Sequence, residues 1–295
     1  MSQLSAIVPA TNQPPTLDRC LAGIRCASQP PEEVIIVDQP ENGGPALARN
    51  LGAMRARGDV LVFIDADIEV HPDVFSRIRA RFDGDGGLAA VFGSYDDCPA
   101  APDVVSAFRN LLHYWVHQTN PGGATTFWAG LGAVRRDRFL SIAGFDHRRF
   151  PRPSIEDIEL GMRLAASGGE VRLDPMIQGT HLKRWTLARM IRTDFHARGV
   201  PWVALLAWML WIQAPAVLRF SPSYLSETTT GALWLIGWWS PSPSIRSSSR
   251  FFRWMNDWRC CAPPSATRSV SRSRPSMACW RTLPSELAHR SSCAV

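Results

Sequence analysis

The sequence predicts an α/β fold in which a mainly parallel sheet is flanked by helices. Three observations carry this. The runs Leu4–Val8, Val34–Val37 and Val60–Ile64 have strand length and, apart from Ser5, are apolar at successive positions, as in strands covered on both faces. The segments between them place apolar residues at helical spacing, and strand–helix alternation of this kind builds a parallel sheet with right-handed crossovers. The strands run out at Pro9, Asp38 and Asp65, so polar loops gather at the carboxyl edge, where open α/β sheets bind ligands.

In chain order, the first strand, Leu4–Pro9, is ended by its proline, and a polar loop through Asn12 leads to a helix over 16–27 with Leu17, Cys20, Leu21 and Ile24 on one face. Pro30 and Pro31 break it before a second buried strand, Glu33–Asp38. Pro45, its fixed φ suited to a first helical position, opens a helix that Gly58 stops. Val60–Ile64 is the central strand, Pro72–Phe82 a helix and Leu88–Phe92 a fourth strand. Residues 102–117 form an amphipathic helix. Thr125–Val134 reads as a glycine-interrupted strand or loop, where missing side chains let backbone approach a ligand. A short helix over Arg136–Ile142 precedes Gly144-Phe145-Asp146 and a loop bearing Arg148, Arg149 and Arg152. Ser154-Ile155-Glu156-Asp157 starts a helix that ends near Gly168-Gly169. Val171–Leu173 closes the sheet, and His181–Trp185 leads into a last amphipathic helix.

The formal charge of +6 is misleading for the whole chain. Residues 221–295 hold nine arginines against three acids, which accounts for all of it, and the first 220 residues are balanced. Basicity therefore belongs to the tail, and nothing in the domain calls for nucleic acid. Seven cysteines without a CxxC, and an N-terminus without a basic-plus-apolar leader, lead us to expect a reducing, cytoplasmic setting.

The chemistry concentrates where the central strand stops, at Asp65-Ala66-Asp67. In extended chain, residues two apart point the same way, so both carboxylates face the crevice, and their repulsion is relieved by a cation or a donor-rich ligand. No G-x-G-x-x-G follows the first strand, Lys183 is the only lysine and follows no glycine loop, and G-x-S-x-G and H-E-x-x-H are missing. Dinucleotide, P-loop, serine-hydrolase and zincin chemistry are thereby excluded.

Together these segments resemble the family 2 glycosyltransferases. The matching residues are Ile7-Val8-Pro9 with Asn12, Val37-Asp38, Ala48-Arg49-Asn50 with Gly52, Gly58-Asp59 and Phe63-Ile64-Asp65-Ala66-Asp67. They continue with Gly130–Arg136, Gly144-Phe145-Asp146 and Glu156–Leu160 with Arg163. The resemblance covers about residues 4–200 and implies a GT-A, Rossmann-like nucleotide-diphospho-sugar transferase domain over 1–199. It also implies an inverting, single transfer from a nucleoside diphosphate sugar, UDP being the expected nucleotide, to a hydroxyl on a lipid, glycan or small glycoside, with Mn²⁺ or Mg²⁺ as cofactor. In this reading Asp67 and His181 are the metal ligands, and Pro9, Asn12, Asp38, Arg49 and Asp65 hold the nucleotide, Arg49 either at the pyrophosphate or as a brace of the crevice. Asp157, with Glu156 beside it, is the catalytic base, and Trp128, Gly130, Arg184 and Trp185 meet the acceptor. His181-x-x-Arg184-Trp185 looks like the Gln-x-x-Arg-Trp motif of processive synthases with His for Gln, a departure that favours single transfer. Ser154-x-x-Asp157 is also a capping box, which gives Asp157 a structural alternative. A nucleotide-sugar-binding protein without turnover, and a nucleotidyltransferase, are the competing functions.

Val200–Leu218 approaches the ~20 apolar residues of a bilayer span, interrupted by Pro201, Gln213 and Pro215, and Gly231–Trp239 is a shorter apolar run. For 200–239, association with a membrane and docking on the catalytic domain are both open. Residues 240–295 are a Ser/Arg/Pro-rich tail without periodicity, read either as a frameshifted C-terminus or as a disordered basic segment.

Overall fold

In the computed structural model, which describes residues 1–217, eight strands form one sheet in the order β2-β1-β3-β7-β5-β8-β4, with β6 paired to β8. The strands are β1 (Leu4–Pro9), β2 (Glu33–Val37), β3 (Val60–Ile64), β4 (Ile68–Val70), β5 (Leu88–Tyr95), β6 (Gly122–Ala124), β7 (Leu131–Arg135) and β8 (Glu170–His181). The helices are α1 (Leu17–Arg25), α2 (Pro45–Arg55), α3 (Val74–Gly84), α4 (Val104–Thr119), α5 (Arg136–Ser141), α6 (Glu156–Ala166), α7 (Leu187–Arg192) and α8 (Val200–Val217), with a π-helical turn at Thr193–Gly199 between the last two. β1 pairs in parallel with both β2 and β3, and β5 with β8. β7 runs antiparallel to β3 and β5, so β1, β2, β3, β5 and β8 share one direction and the sheet is mainly parallel, as expected.

Alternation along the strands divides the core into two layers. Leu4, Ala6, Val8, Val60, Val62 and Ile64 face the layer shared with α1 and α3, while Ile7, Leu61 and Phe63 face the layer shared with α2, α5 and α6. Phe63 anchors the second layer against Phe139 and Phe145, ring centroids 5.4 and 5.3 Å away. Every residue of β3 is buried, so the chain after Ile64 leaves the end of a fully covered strand.

Several expectations need correction. β2 is an edge strand, not a buried one: Val34 and Ile36 are exposed because helices cover only its other face. The chain after Asp67 returns at once as β4, an antiparallel partner of β8, where a loop into the next helix was expected. β8 runs twelve residues through Pro175, far beyond Val171–Leu173, and β5 extends to Tyr95. The capping box does not form, since Ser154 Oγ donates to the Ala197 carbonyl at 2.8 Å. At the start of α8, Leu205 is buried against Phe150 and Ile155. Among the described residues no helix is long and apolar enough to cross a membrane. The readings for Gly231–Trp239 and 240–295 lie outside the described residues.

Candidate active site

Side chains arrive at the carboxyl edge of the sheet from three directions. β1 and β2 pair in register up to Pro9 and Val37, which sets Pro9 and Asp38 side by side at adjacent strand ends, with Asn12 exposed in the loop that follows. Thr11, beside Asn12, accepts the Asn42 amide at 2.8 Å, closing this edge against the loop that leads into α2. Asp65 and Asp67 leave the neighbouring strand β3. Asp65 donates its amide to the Gly130 carbonyl at 2.8 Å, and Asp67 accepts the Leu182 amide at 2.8 Å. Asp157 enters from the first turn of α6, where Oδ2 accepts the Ala129 amide at 3.2 Å. The 129–130 backbone thus grips Asp65 from one side and Asp157 from the other.

Arg49 ties these parts together. Its guanidinium is buried and donates to Asp65 Oδ1 at 2.6 Å and to Glu156 Oε1 at 3.0 Å. Two close packings place it. Gly52, one turn on, lets α2 press against Ile7, and Gly161 lets α6 press against the backbone of Thr126 and Phe127; a Cβ at either position would collide with these neighbours. Asn50 fixes the helix with two reciprocal bonds to Phe145, 2.8 and 2.9 Å, across the turn at Gly144, whose φ is +63°. Arg163 closes the same corner on the carbonyls of Ile142 and Gly144. The Ala-Arg-Asn, Gly-Phe-Asp and Glu-Asp segments singled out in the sequence are therefore one mechanical unit. Arg49, expected to meet the nucleotide or to brace the crevice, and Glu156, expected in catalysis, form a buried brace, and Glu156 spends its second oxygen on the Ser154 amide at 2.8 Å.

The electrostatics differ sharply between the carboxylates. Burial pushes the Asp157 pKa up to about 7, and the neighbouring Glu156 charge adds to this. Burial also pushes the Asp65 carboxyl up; Arg49 opposes the shift and Asp67 reinforces it. Beneath them, burial and the charges of Asp65, Asp67 and Glu69 lift the Cys20 thiol to about 12, leaving it inert.

Asp67 faces two candidate partners on the far end of β8 and beyond. His181 Nε2 stands 4.0 Å and Lys183 Nζ 3.6 Å from Asp67 Oδ2. Burial, with help from the Lys183 charge, pulls the His181 pKa down to about 3, so its imidazole is held in the neutral form that binds metals. Two donors on one hard cation at ~2.1 Å each can lie up to ~4.2 Å apart, and the Asp67–His181 separation falls within that span. No group of three or more His, Cys, Asp or Glu donors is assembled among the described residues, so this pair fits a cation whose remaining ligands come from a bound diphosphate or water.

A ring cluster forms the adjoining wall. Tyr95 stacks on His181 with centroids 4.3 Å apart, and Trp128 lies 4.9 Å from Tyr95 and 4.4 Å from His113. His117 follows at 4.0 Å from His113. Gly130 is small because the Trp128 indole lies over it, which accounts for the glycine by packing. Arg184 is exposed, its guanidinium 3.5 Å from Asp103, and Trp185 is buried with its amide on Ser106 Oγ at 2.8 Å and Arg109 over its ring. The Trp185 ring also meets the crevice side of the chain, with Lys183 Nζ 4.8 Å from its centroid. The sequence reading missed Lys183, Tyr95 and His113. The solitary lysine two residues after His181 was the available signal for the first, and the i, i+4 pair His113/His117 on α4 for the last.

The family model for glycosyl transferase family 2 matches residues 39–136. Among solved structures, a mannosyltransferase from Pyrobaculum calidifontis, determined with GDP-Man and Mn²⁺, is similar at 16% identity and a TM-score of 0.51, covering 88% of this chain and 83% of that one. Residues 1–349 of S. aureus TarS in complex with UDP are similar at 14% identity and 0.45, covering 60% of this chain and 59% of that one. GalNAc-T7 with UDP, GalNAc and Mn²⁺ is similar at 16% and 0.48, and the chain spans 44% of its length. At these identities the likeness is one of fold, and the mannosyltransferase is the neighbour that carries it.

Proposed function

We infer that this chain, a family 2 glycosyltransferase of the GT-A fold, transfers a sugar from a nucleoside diphosphate donor, UDP in the leading reading, to an acceptor hydroxyl. The transfer is a single in-line displacement with inversion. The observation that carries this is the convergence of Asp65, Asp67 and Asp157 on one edge, held there by the Gly130 carbonyl, the Ala129 amide and the Arg49–Glu156 brace.

Pro9, Asn12 and Asp38 border the nucleoside, and Asp65, aligned by Arg49, offers its second oxygen to a ribose hydroxyl. Asp67 and His181 would hold the divalent cation, whose charge would offset that of the diphosphate leaving group. Lys183, beside Asp67, adds a further positive charge next to the leaving group. Asp157 takes the proton from the acceptor hydroxyl as the new bond forms at the anomeric carbon, and a pKa near 7 suits that task at neutral pH. Trp128 supplies an apolar ring face for the acceptor sugar. The acceptor is carried by a lipid, a glycan or a small glycoside, and the setting we propose is the cytoplasmic face of a membrane.

The test is release of nucleoside diphosphate from a panel of UDP- and GDP-sugars with and without Mn²⁺. Turnover of one donor that stops with chelator and in Asp67→Ala supports the assignment. Failure of every donor to bind or turn over would overturn it, and binding without turnover would identify a nucleotide-sugar-binding protein instead.

A further inference from the structure

Amphipathic helices on globular domains ordinarily turn their apolar stripe inward. The helical rod from Leu187 into α8 is mounted the other way. Over α7 and the π-helical turn its fixed side is polar: Thr186 caps α7 by accepting the Arg189 amide, Asp194 is bridged by Arg109 at 2.8 Å, and the Ala197 carbonyl accepts from Ser154, while α8 is held beyond them by Leu205 against Phe150 and Ile155. Its outer side presents Leu187, Ile191 and Phe195, four residues apart and 55%, 59% and 62% exposed. Exposed apolar side chains continue through Val200 and Val203, whereas Trp208 further on packs under the Arg149 guanidinium. Arginines flank this stripe: Arg184, Arg189, Arg192 and Arg198 are all exposed. Arg189 and Arg192 have no ion-pair partner among the described residues, and the sole acid of the segment, Asp194, is taken up by Arg109 and Arg198.

We propose that this face docks in the surface of an anionic lipid bilayer. The proposal deepens the membrane setting given above by naming the docking face and the lipid charge that it requires. A basic amphipathic helix meets such a surface with its apolar residues at the level of the acyl-chain boundary and its arginines among the phosphates. A second copy of the chain fits less well, because a two-fold contact would set the unpaired arginines of both copies against each other. No helix among the described residues is long and apolar enough to span a membrane, which agrees with a rod lying in the surface plane. The rod starts four residues after Lys183, the residue 3.6 Å from Asp67, a reach of at most ~14 Å in extended chain. Docking would therefore bring the crevice within that distance of the headgroups; this consequence for an acceptor rests on the transfer reading, whereas docking does not.

The experiment is vesicle flotation of the full chain, without donor or metal, on phosphatidylcholine vesicles and on phosphatidylcholine–phosphatidylglycerol vesicles at low and high salt. It compares wild type with Arg189→Gln/Arg192→Gln and with Ile191→Ser/Phe195→Ser; the tail is present in all three, so its contribution is constant. Thermal melts report whether the exposed substitutions leave folding intact. Wild type is expected to float with the anionic vesicles, more weakly as salt rises. The arginine pair should lower partitioning about 30-fold, at roughly fivefold per arginine, and the serine pair should lose flotation. Loss in both variants supports the proposal. Absence of wild-type flotation, equal flotation on neutral vesicles, retention by either variant, or a dimer that the same variants dissolve without any flotation overturns it.

Discussion

Replacing Asp157 by Asn separates the two consequences of burying a carboxyl beside Glu156. With a folded pKa of about 7, the wild-type base carries its proton in acid, so kcat/KM should fall tenfold per pH unit below 7, about 100-fold by pH 5. The Asn variant has no proton to lose. Its activity should be lower by 10²–10⁴-fold near neutrality, the usual worth of a general base, and flat with pH. Stability should move the other way. In the unfolded chain this carboxyl ionises near 3.9, so between about pH 4 and 7 the folded protein keeps a proton that the unfolded chain has released. Wild-type stability therefore declines as pH rises through that window. Three pK units set a ceiling of about 4 kcal/mol, which solvent at this half-buried group reduces to about 2 kcal/mol. Urea unfolding of both proteins at pH 4 and pH 8, beside pH profiles of nucleotide release, reads both effects. Full wild-type activity at pH 5, Asn activity within tenfold of wild type, or an Asn variant less stable at pH 8 than at pH 4 relative to wild type would refute the reasoning.

Glu156→Ala leaves the buried Arg49 guanidinium with one carboxylate fewer, and denaturant unfolding should show a loss of about 3–5 kcal/mol, with Glu156→Gln milder. Lys183→Met removes the cation 3.6 Å from Asp67; calorimetry should find Mn²⁺ bound more tightly without nucleotide, while UDP binds more weakly in its presence. Trp128→Ala should raise the acceptor KM several-fold with little change in donor affinity, measured by initial rates under varied acceptor.

What the sequence made legible was whatever local pattern controls. Val60–Ile64 followed by Asp65 and Asp67 declares both a buried strand and its chemical edge, because strand periodicity and the polar stop lie within eight residues. β4 and β6 were invisible because three-residue strands carry no period of their own and exist only through pairing with β8. β8 itself was cut short by Pro175, which the sheet tolerates at an irregular stretch between the Leu173 and Gln178 pairings to β5. The candidate site divides in the same way. Asp65, Asp67 and Asp157 were readable as carboxylates at element ends, but the roles of Arg49 and Glu156 depend on a contact spanning 107 residues, and no spacing rule encodes it. For Trp185 the sequence offered an aromatic ring, but its packing on Ser106, Arg109 and Lys183 is set by tertiary contacts that no local pattern encodes.

Donor binding, as proposed, depends on Asp67 and His181 holding a cation that in turn holds a diphosphate. Titrating UDP into the protein by calorimetry, with and without Mn²⁺, tests this most directly when wild type is run beside Asp67→Ala and His181→Ala. The prediction is UDP binding that strengthens at least tenfold with Mn²⁺ in wild type and loses that enhancement in both variants. Equal UDP affinity with and without the metal, or full enhancement in either variant, would contradict it.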